Sequence, residues 1–138
     1  MNNYTLGGLM HENVVGAQLP SVGALSYLGD AAHSLYVRRM LIENGVSKSG
    51  ELSKLSLMYV TAERQAIMLK KIEPYLLDDE RDVYRRASNS THLNKPKHAS
   101  IGEYRLATGF EAVIGMLYWI GDFERMTELL DIAHKAEE

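Results

Sequence analysis

The sequence contains no cysteine, which excludes disulfides, zinc–thiolate centres and thiol nucleophiles together. Proline is scarce: the three residues Pro20, Pro74 and Pro96 fall at breaks between candidate elements. No apolar run approaches the roughly 18 residues that a membrane-crossing helix needs. The N-terminus, Met1-Asn2-Asn3-Tyr4-Thr5, has neither the basic region nor the apolar core of a secretion signal. A cytoplasmic protein without a membrane partner is therefore expected. A strong net charge is also missing, the formal value being −3.

What is present is a chain of 138 residues, 46% apolar and 24% charged, enough to bury one compact core. A single domain over residues 1–138 is expected, with residues 1–20 as an irregular arm bearing Gly7, Gly8 and Gly16. The charge is unevenly spread. Between Arg85 and Arg105 stand Arg85, Arg86, Lys95, Lys97 and Arg105 against the single acid Glu103, a local +4 on a remainder of −7. Such a stretch can draw a polyanion to one surface, or can simply be a solvated loop.

Apolar periodicity is helical throughout, and no segment alternates as a strand does. Ser21 is placed to cap a first helix whose inward stripe is Leu25, Leu28, Ala32, Leu35 and Tyr36, ending at Asn44-Gly45. A second helix is expected from about Glu51 to Lys71, with Leu52, Leu55, Tyr59, Ala62, Ala66 and Leu69 inward. Met58 and Met68 are assigned to the same core. Asp78-Asp79-Glu80 has the acidic character of a helix start, and Arg85-Arg86 lie near its end. Ser88 to Ser100 is expected to be a loop. Ser100 with Glu103 has capping-box spacing, opening a helix through Trp119 to Gly121. Asp122 caps a last helix with Phe123, Met126, Leu129, Leu130 and Ala133 inward. The fold class is all-α.

Two glycines, Gly29 and Gly115, lie inside these helices, where each costs about 1 kcal/mol relative to alanine. Close approach of two helices is the expected reason. Asp30 follows Gly29 directly, and Glu111 stands four residues before Gly115, both among apolar neighbours. A carboxylate there requires solvent, a cationic partner or a metal. If the helices cross at their glycines, the two acids converge on one hard cation, for which Mg²⁺ is suited. The alternative is that each acid pairs with an arginine such as Arg38, Arg39 or Arg105. His33, one turn beyond Asp30, is expected to be a core or dimer-interface residue. His92 and His98 lack metal-ligand spacing, and Tyr118 and Trp119 are expected core or interface anchors.

Leu25-Ser26-Tyr27-Leu28-Gly29-Asp30-Ala31 resembles the signature helix of the ribonuclease III family, Leu-Glu-Phe-Leu-Gly-Asp. Phe110-Glu111-Ala112-Val113-Ile114-Gly115-Met116-Leu117-Tyr118 is similar to its second motif, Phe-Glu-Ala-Leu-Ile-Gly-Ala-Leu-Tyr. The likeness runs from about Ser21 to the C-terminus. The chain stops where a double-stranded-RNA-binding domain would follow, so it most resembles the Mini-ribonuclease III branch. Arg86, Asn89, Pro96-Lys97 and the tract from Tyr104-Arg105 through Thr108 to Ala112 agree with that branch.

The resemblance implies an all-α homodimer of ribonuclease III catalytic domains, an Mg²⁺-dependent endonuclease (Mn²⁺ as substitute) that cuts double-stranded RNA. It implies staggered cuts with 5′-phosphates and short 3′ overhangs, and maturation of the 23S ribosomal RNA precursor. By carry-over, Asp30 and Glu111 hold the metal and orient the attacking water. Ser26 and Thr108 stand where full-length ribonuclease III has carboxylates, and so place neutral hydroxyls at the metal's edge. Arg85, Arg86, Asn89, Lys95, Lys97 and Arg105 become candidates for RNA contact, since duplex RNA is read through shape, phosphates and 2′-hydroxyls. Two other readings remain: a ribonuclease III-like RNA-binding scaffold without catalysis, favoured by the missing acids, and an all-α protein–protein adaptor.

Overall fold

Local capping chemistry sets most of the helix ends. The computed structural model describes residues 19–90 and 99–136. Within them run α1 (Val22–Glu43), α2 (Ser49–Tyr59), α3 (Ala62–Ile72), a 3-10 turn (Glu73–Tyr75), α4 (Asp78–Ser90), α5 (Ile101–Ile120) and α6 (Phe123–His134). No strand occurs among the described residues. The side chain of Ser21 accepts from the Ala24 amide, that of Asp122 from the Arg125 amide, and Ser100 with Glu103 forms a complete capping box. Gly121, at φ 81°, closes α5 in the left-handed conformation. The expected N-terminal arm, and most of the loop expected from Ser88 to Ser100, lie outside the described residues.

Three expectations are corrected. The single helix expected from Glu51 to Lys71 is two, because α2 ends at Tyr59 and the Thr61 side chain accepts from the Arg64 amide to start α3. The apolar spacing runs unbroken through that cap, so periodicity alone could not see it. Leu35 is not inward but 64% exposed, and Met58 is 54% exposed while Met68 is in the core. Helix α4 continues through Ser90, a half-turn into the expected loop.

Helix α5 is the axis of the fold. It is apolar nearly all round, as a central helix must be, and α1, α3, α4 and α6 all pack on it. Phe110, Ile114, Met116 and Leu117 meet Leu25, Met68, Leu69, Ile72, Leu129 and Leu130 in one continuous core. On the far side of α6, Arg125 reaches the fully buried Glu80 of α4 through two 2.9 Å bonds and the Tyr75 carbonyl at 2.6 Å. That fork ties the chain's last helix to the turn before α4.

The crossing of α1 and α5 is the closest contact in the molecule's centre. A Cβ on Gly29 would stand 1.7 Å from the Glu111 carbonyl oxygen, and one on Gly115 would stand 1.9 Å from the Leu25 carbonyl oxygen. Each glycine thus rests on the other helix's backbone, and only glycine fits at either position. The expected reason for both residues is correct.

Candidate functional site

Because Gly29 sits on the backbone of Glu111, its neighbour Asp30 is brought beside the Glu111 side chain. Asp30 is exposed and Glu111 half-buried, so the pair forms the floor and rim of a site open to solvent. The two carboxyl groups are within hydrogen-bonding reach, and Glu111 is pushed up to about 8. Burial is the larger cause and the adjacent Asp30 the next, through both hydrogen bonding and like charge. Hydrogen bonds from Gln65 and Ser26 act in the opposite direction.

Ser26 lies one turn before Asp30 on α1, and its hydroxyl is 3.3 Å from both Glu111 Oε1 and the Thr108 carbonyl oxygen. It therefore belongs to the same cluster. Thr108, one turn before Glu111 on α5, donates its hydroxyl proton to the Tyr104 carbonyl at 2.9 Å. Its lone pairs remain available, but its proton is committed to its own helix. Arg39, one of the arginines weighed as a partner for the acids, instead pairs with Glu43 at 2.9 Å.

This donor set suits a hard divalent cation. Two carboxylates on facing helices, edged by hydroxyl oxygens, supply oxygen ligands of the kind Mg²⁺ takes while leaving room for water. The repulsion that lifts Glu111 is relieved when a cation lies between the two groups. Among the described residues, no cluster of three or more histidine, aspartate or glutamate side chains forms a denser metal cage. The site is thus carboxylate-poor, as the neutral Ser26 and Thr108 led one to expect.

The candidate RNA-contacting residues flank this site. Arg85, Arg86 and Asn89 are exposed on α4 and Arg105 is exposed on α5. Ser88 Oγ donates to the Arg105 carbonyl at 3.1 Å, which holds the two helices together there. Arg86 makes an exposed ion pair with Asp82 at 3.1 Å, a contact weak enough in water for a phosphate to displace. Arg105, Thr108 and Glu111 succeed one another at three-residue steps along α5, so a basic side chain leads up to the acid. Lys95 and Lys97, like His92 and His98, lie outside the described residues.

Two residues of this neighbourhood escaped the sequence reading. Gln65 on α3 is 2% exposed and bonds Glu111. Its signal was positional: it falls on the apolar stripe between Ala62 and Leu69, where a polar residue needs a buried partner. His134 closes on His33, their Nε2 atoms 2.8 Å apart. His33 itself is fully buried, edge-on to Phe110 with ring centroids 5.1 Å apart, which settles it as a core residue. Trp119 remains 42% exposed.

No helix among the described residues is long and apolar enough to cross a membrane. A family model of the ribonuclease III domain matches residues 23–122. A Mini-ribonuclease 3 of Symbiobacterium thermophilum is 42% identical over 109 residues, 79% of this chain and 84% of that protein. A Mini-ribonuclease 3 of Clostridium tetani is 34% identical over 133 residues, 96% of this chain and 87% of that protein. Among solved structures, a crystal structure of a Fusobacterium nucleatum protein matches with a TM-score of 0.74 at 29% identity, covering 81% of this chain and 89% of that one.

Proposed function

The chain belongs to the ribonuclease III family and is an endoribonuclease of that type, acting on double-stranded RNA; we propose that it does so as an Mg²⁺-dependent homodimer through Asp30 and Glu111. The observation that carries this reading is the α1–α5 crossing, which sets one carboxyl group from each helix side by side. We assign the 138 residues to one catalytic domain, working in the cytoplasm on the precursor of 23S ribosomal RNA.

In this reading Asp30 and Glu111 bind the cation, with Ser26 and Thr108 contacting water at its edge. When bound, Mg²⁺ supplies an activated water and offsets charge building on the scissile phosphate. Ser26 and Gln65 hold the Glu111 carboxylate by donating to it, which fixes where its oxygens point. The packed backbones of Gly29 and Gly115 keep the two acids at constant separation during turnover. Arg85, Arg86 and Arg105 hold phosphates and Asn89 a 2′-hydroxyl or base edge, with Lys95 and Lys97 adding to the same contact. Twofold symmetry gives two such sites, one for each strand of the duplex.

The rival reading, a catalytically silent RNA-binding scaffold, draws on the neutral Ser26 and Thr108. One experiment separates them. Incubation with a long RNA duplex, its separated strands and a DNA duplex, each with Mg²⁺ or with EDTA, is expected to show cutting of the RNA duplex alone, only with metal, leaving 5′-phosphates and short 3′ overhangs. Salt-sensitive binding of the duplex without cutting in either Mg²⁺ or Mn²⁺ would establish the scaffold instead. Accumulation of unprocessed 23S precursor in cells depleted of the protein tests the substrate.

A further inference from the structure

We propose that Gln65 is a positioning residue for the Glu111 carboxylate, and that His33 and His134 fix which end of its amide faces that carboxylate. The proposal rests on the assignment of Glu111 to the metal site. Gln65 is 2% exposed and His33 fully buried, so neither side chain is a surface feature. Gln65 Nε2 lies 3.0 Å from His33 Nδ1, and the same amide bonds Glu111. His33 Nε2 lies 2.8 Å from His134 Nε2. An unbroken polar chain therefore leads from the metal-site acid on α5, through α3 and α1, to the end of α6.

The direction of this chain follows from what each atom can donate. An ionised carboxylate only accepts, so the amide must offer it an N–H. The second N–H of Gln65 Nε2 then points at His33 Nδ1, which must be bare. His33 is neutral, since burial lowers its proton affinity far below the ordinary histidine value, so its one proton sits on Nε2. That proton is donated to His134 Nε2, leaving the His134 proton on Nδ1. This last atom is buried without a hydrogen-bond partner, an uncompensated cost at the far end of the chain. Turning the amide over would serve the two histidines equally well, but it would set a carbonyl oxygen against the carboxylate of Glu111. The acid therefore selects the amide orientation, and the buried histidines hold it there in the absence of RNA.

The substitution Gln65→Met keeps length and volume while removing both N–H donors. Loss of a group that orients a metal ligand costs about 10- to 100-fold in metal affinity or activity. We expect Gln65→Met to lower kcat for duplex RNA by that factor with KM changed less than about twofold, and calorimetric Mn²⁺ affinity of the RNA-free protein to fall by about tenfold. Met68→Leu, a core change on the same helix, serves as the control for packing alone and is expected to leave both quantities unchanged. In the wild type, ¹⁵N NMR of His33 is expected to show a bare Nδ1 and a protonated Nε2 in the presence of Mg²⁺. Wild-type kcat and Mn²⁺ affinity in Gln65→Met, or a protonated His33 Nδ1 in the Mg²⁺-loaded wild type, would overturn the proposal. If the wild type fails to cut RNA while Gln65→Met still weakens Mn²⁺ binding, the functional reading falls and the positioning role stands.

Discussion

Substituting Gly29 with alanine tests how the fold builds the site. The new methyl carbon would lie 1.7 Å from the Glu111 carbonyl oxygen, where ordinary contact begins at 3.4 Å. The obstacle is backbone, not the tip of a flexible side chain, so α1 and α5 must part by roughly 1.5 Å or more. Overpacking of this kind costs about 1–3 kcal/mol and at times more, against a helix-propensity gain of at most about 1 kcal/mol. The parting also loosens Leu25, Phe110 and Ile114, which are fully buried at this crossing, so the upper end applies. A net loss of about 2–3 kcal/mol lowers the midpoint of thermal unfolding by about 10 °C in a chain of this size. Gly23→Ala is the matched control, because nothing lies within 4 Å of its Cβ position; it should be neutral or slightly stabilising. Cleavage of duplex RNA, assayed well below both midpoints, should fall by about 100-fold in Gly29→Ala, since a displacement near 1 Å suffices for that. Equal midpoints for the two variants would refute the packing argument. A destabilised Gly29→Ala with full activity would show that the crossing does not set the site.

Three further outcomes are expected. His33 is lowered by burial, then by His134, to about 3, and His134 by burial to about 4; the unfolded chain thus binds more protons below the ordinary 6.5, and stability is full above that pH and falls as pH drops toward 3. At about pH 4.5 His33 alone should remove roughly 3 kcal/mol, and urea titrations should show His33→Gln losing clearly less stability on acidification than the wild type. Arg125→Met should destabilise by about 3–5 kcal/mol in urea, because Glu80 is 2% exposed and keeps its charge with no cation; a loss below 1 kcal/mol (roughly the value of an exposed pair) would show that the fork is dispensable. Arg85→Gln and Arg105→Gln should each weaken duplex binding and reduce the slope of log affinity against log salt by about 1, whereas unchanged slopes would remove them from the RNA contact.

What the sequence disclosed, and what it hid, follows from distance along the chain. The caps at Ser21, Ser100 and Asp122 were legible because the bonded amide lies only three residues away. Gly29 and Gly115 were legible because glycine inside a helix has a cost that asks for a cause. The inward face of α1 was harder to see. It is lined by Ser26, Gly29, Ala32 and His33 as well as Leu25 and Val37, so counting large apolar residues misplaced Leu35. Glu80 looked like a helix-start acid, and its partner Arg125 stands 45 residues away. The His33–His134 contact spans 101 residues, beyond any periodicity. The pairing of Asp30 with Glu111 was reached through the two glycines and the family motifs, whereas Gln65 looked like one more polar residue on a charged helix.

The central claim is that Asp30 and Glu111 together make the metal-dependent nuclease site. Its most direct test is cleavage of a long RNA duplex in Mg²⁺ by the wild type, Asp30→Asn and Glu111→Gln, with duplex binding measured in parallel. Both substitutions keep side-chain size while removing the charge that a cation requires. The account predicts cutting by the wild type alone and retained binding by all three. Robust cutting by both variants would contradict it and place the metal elsewhere in the molecule.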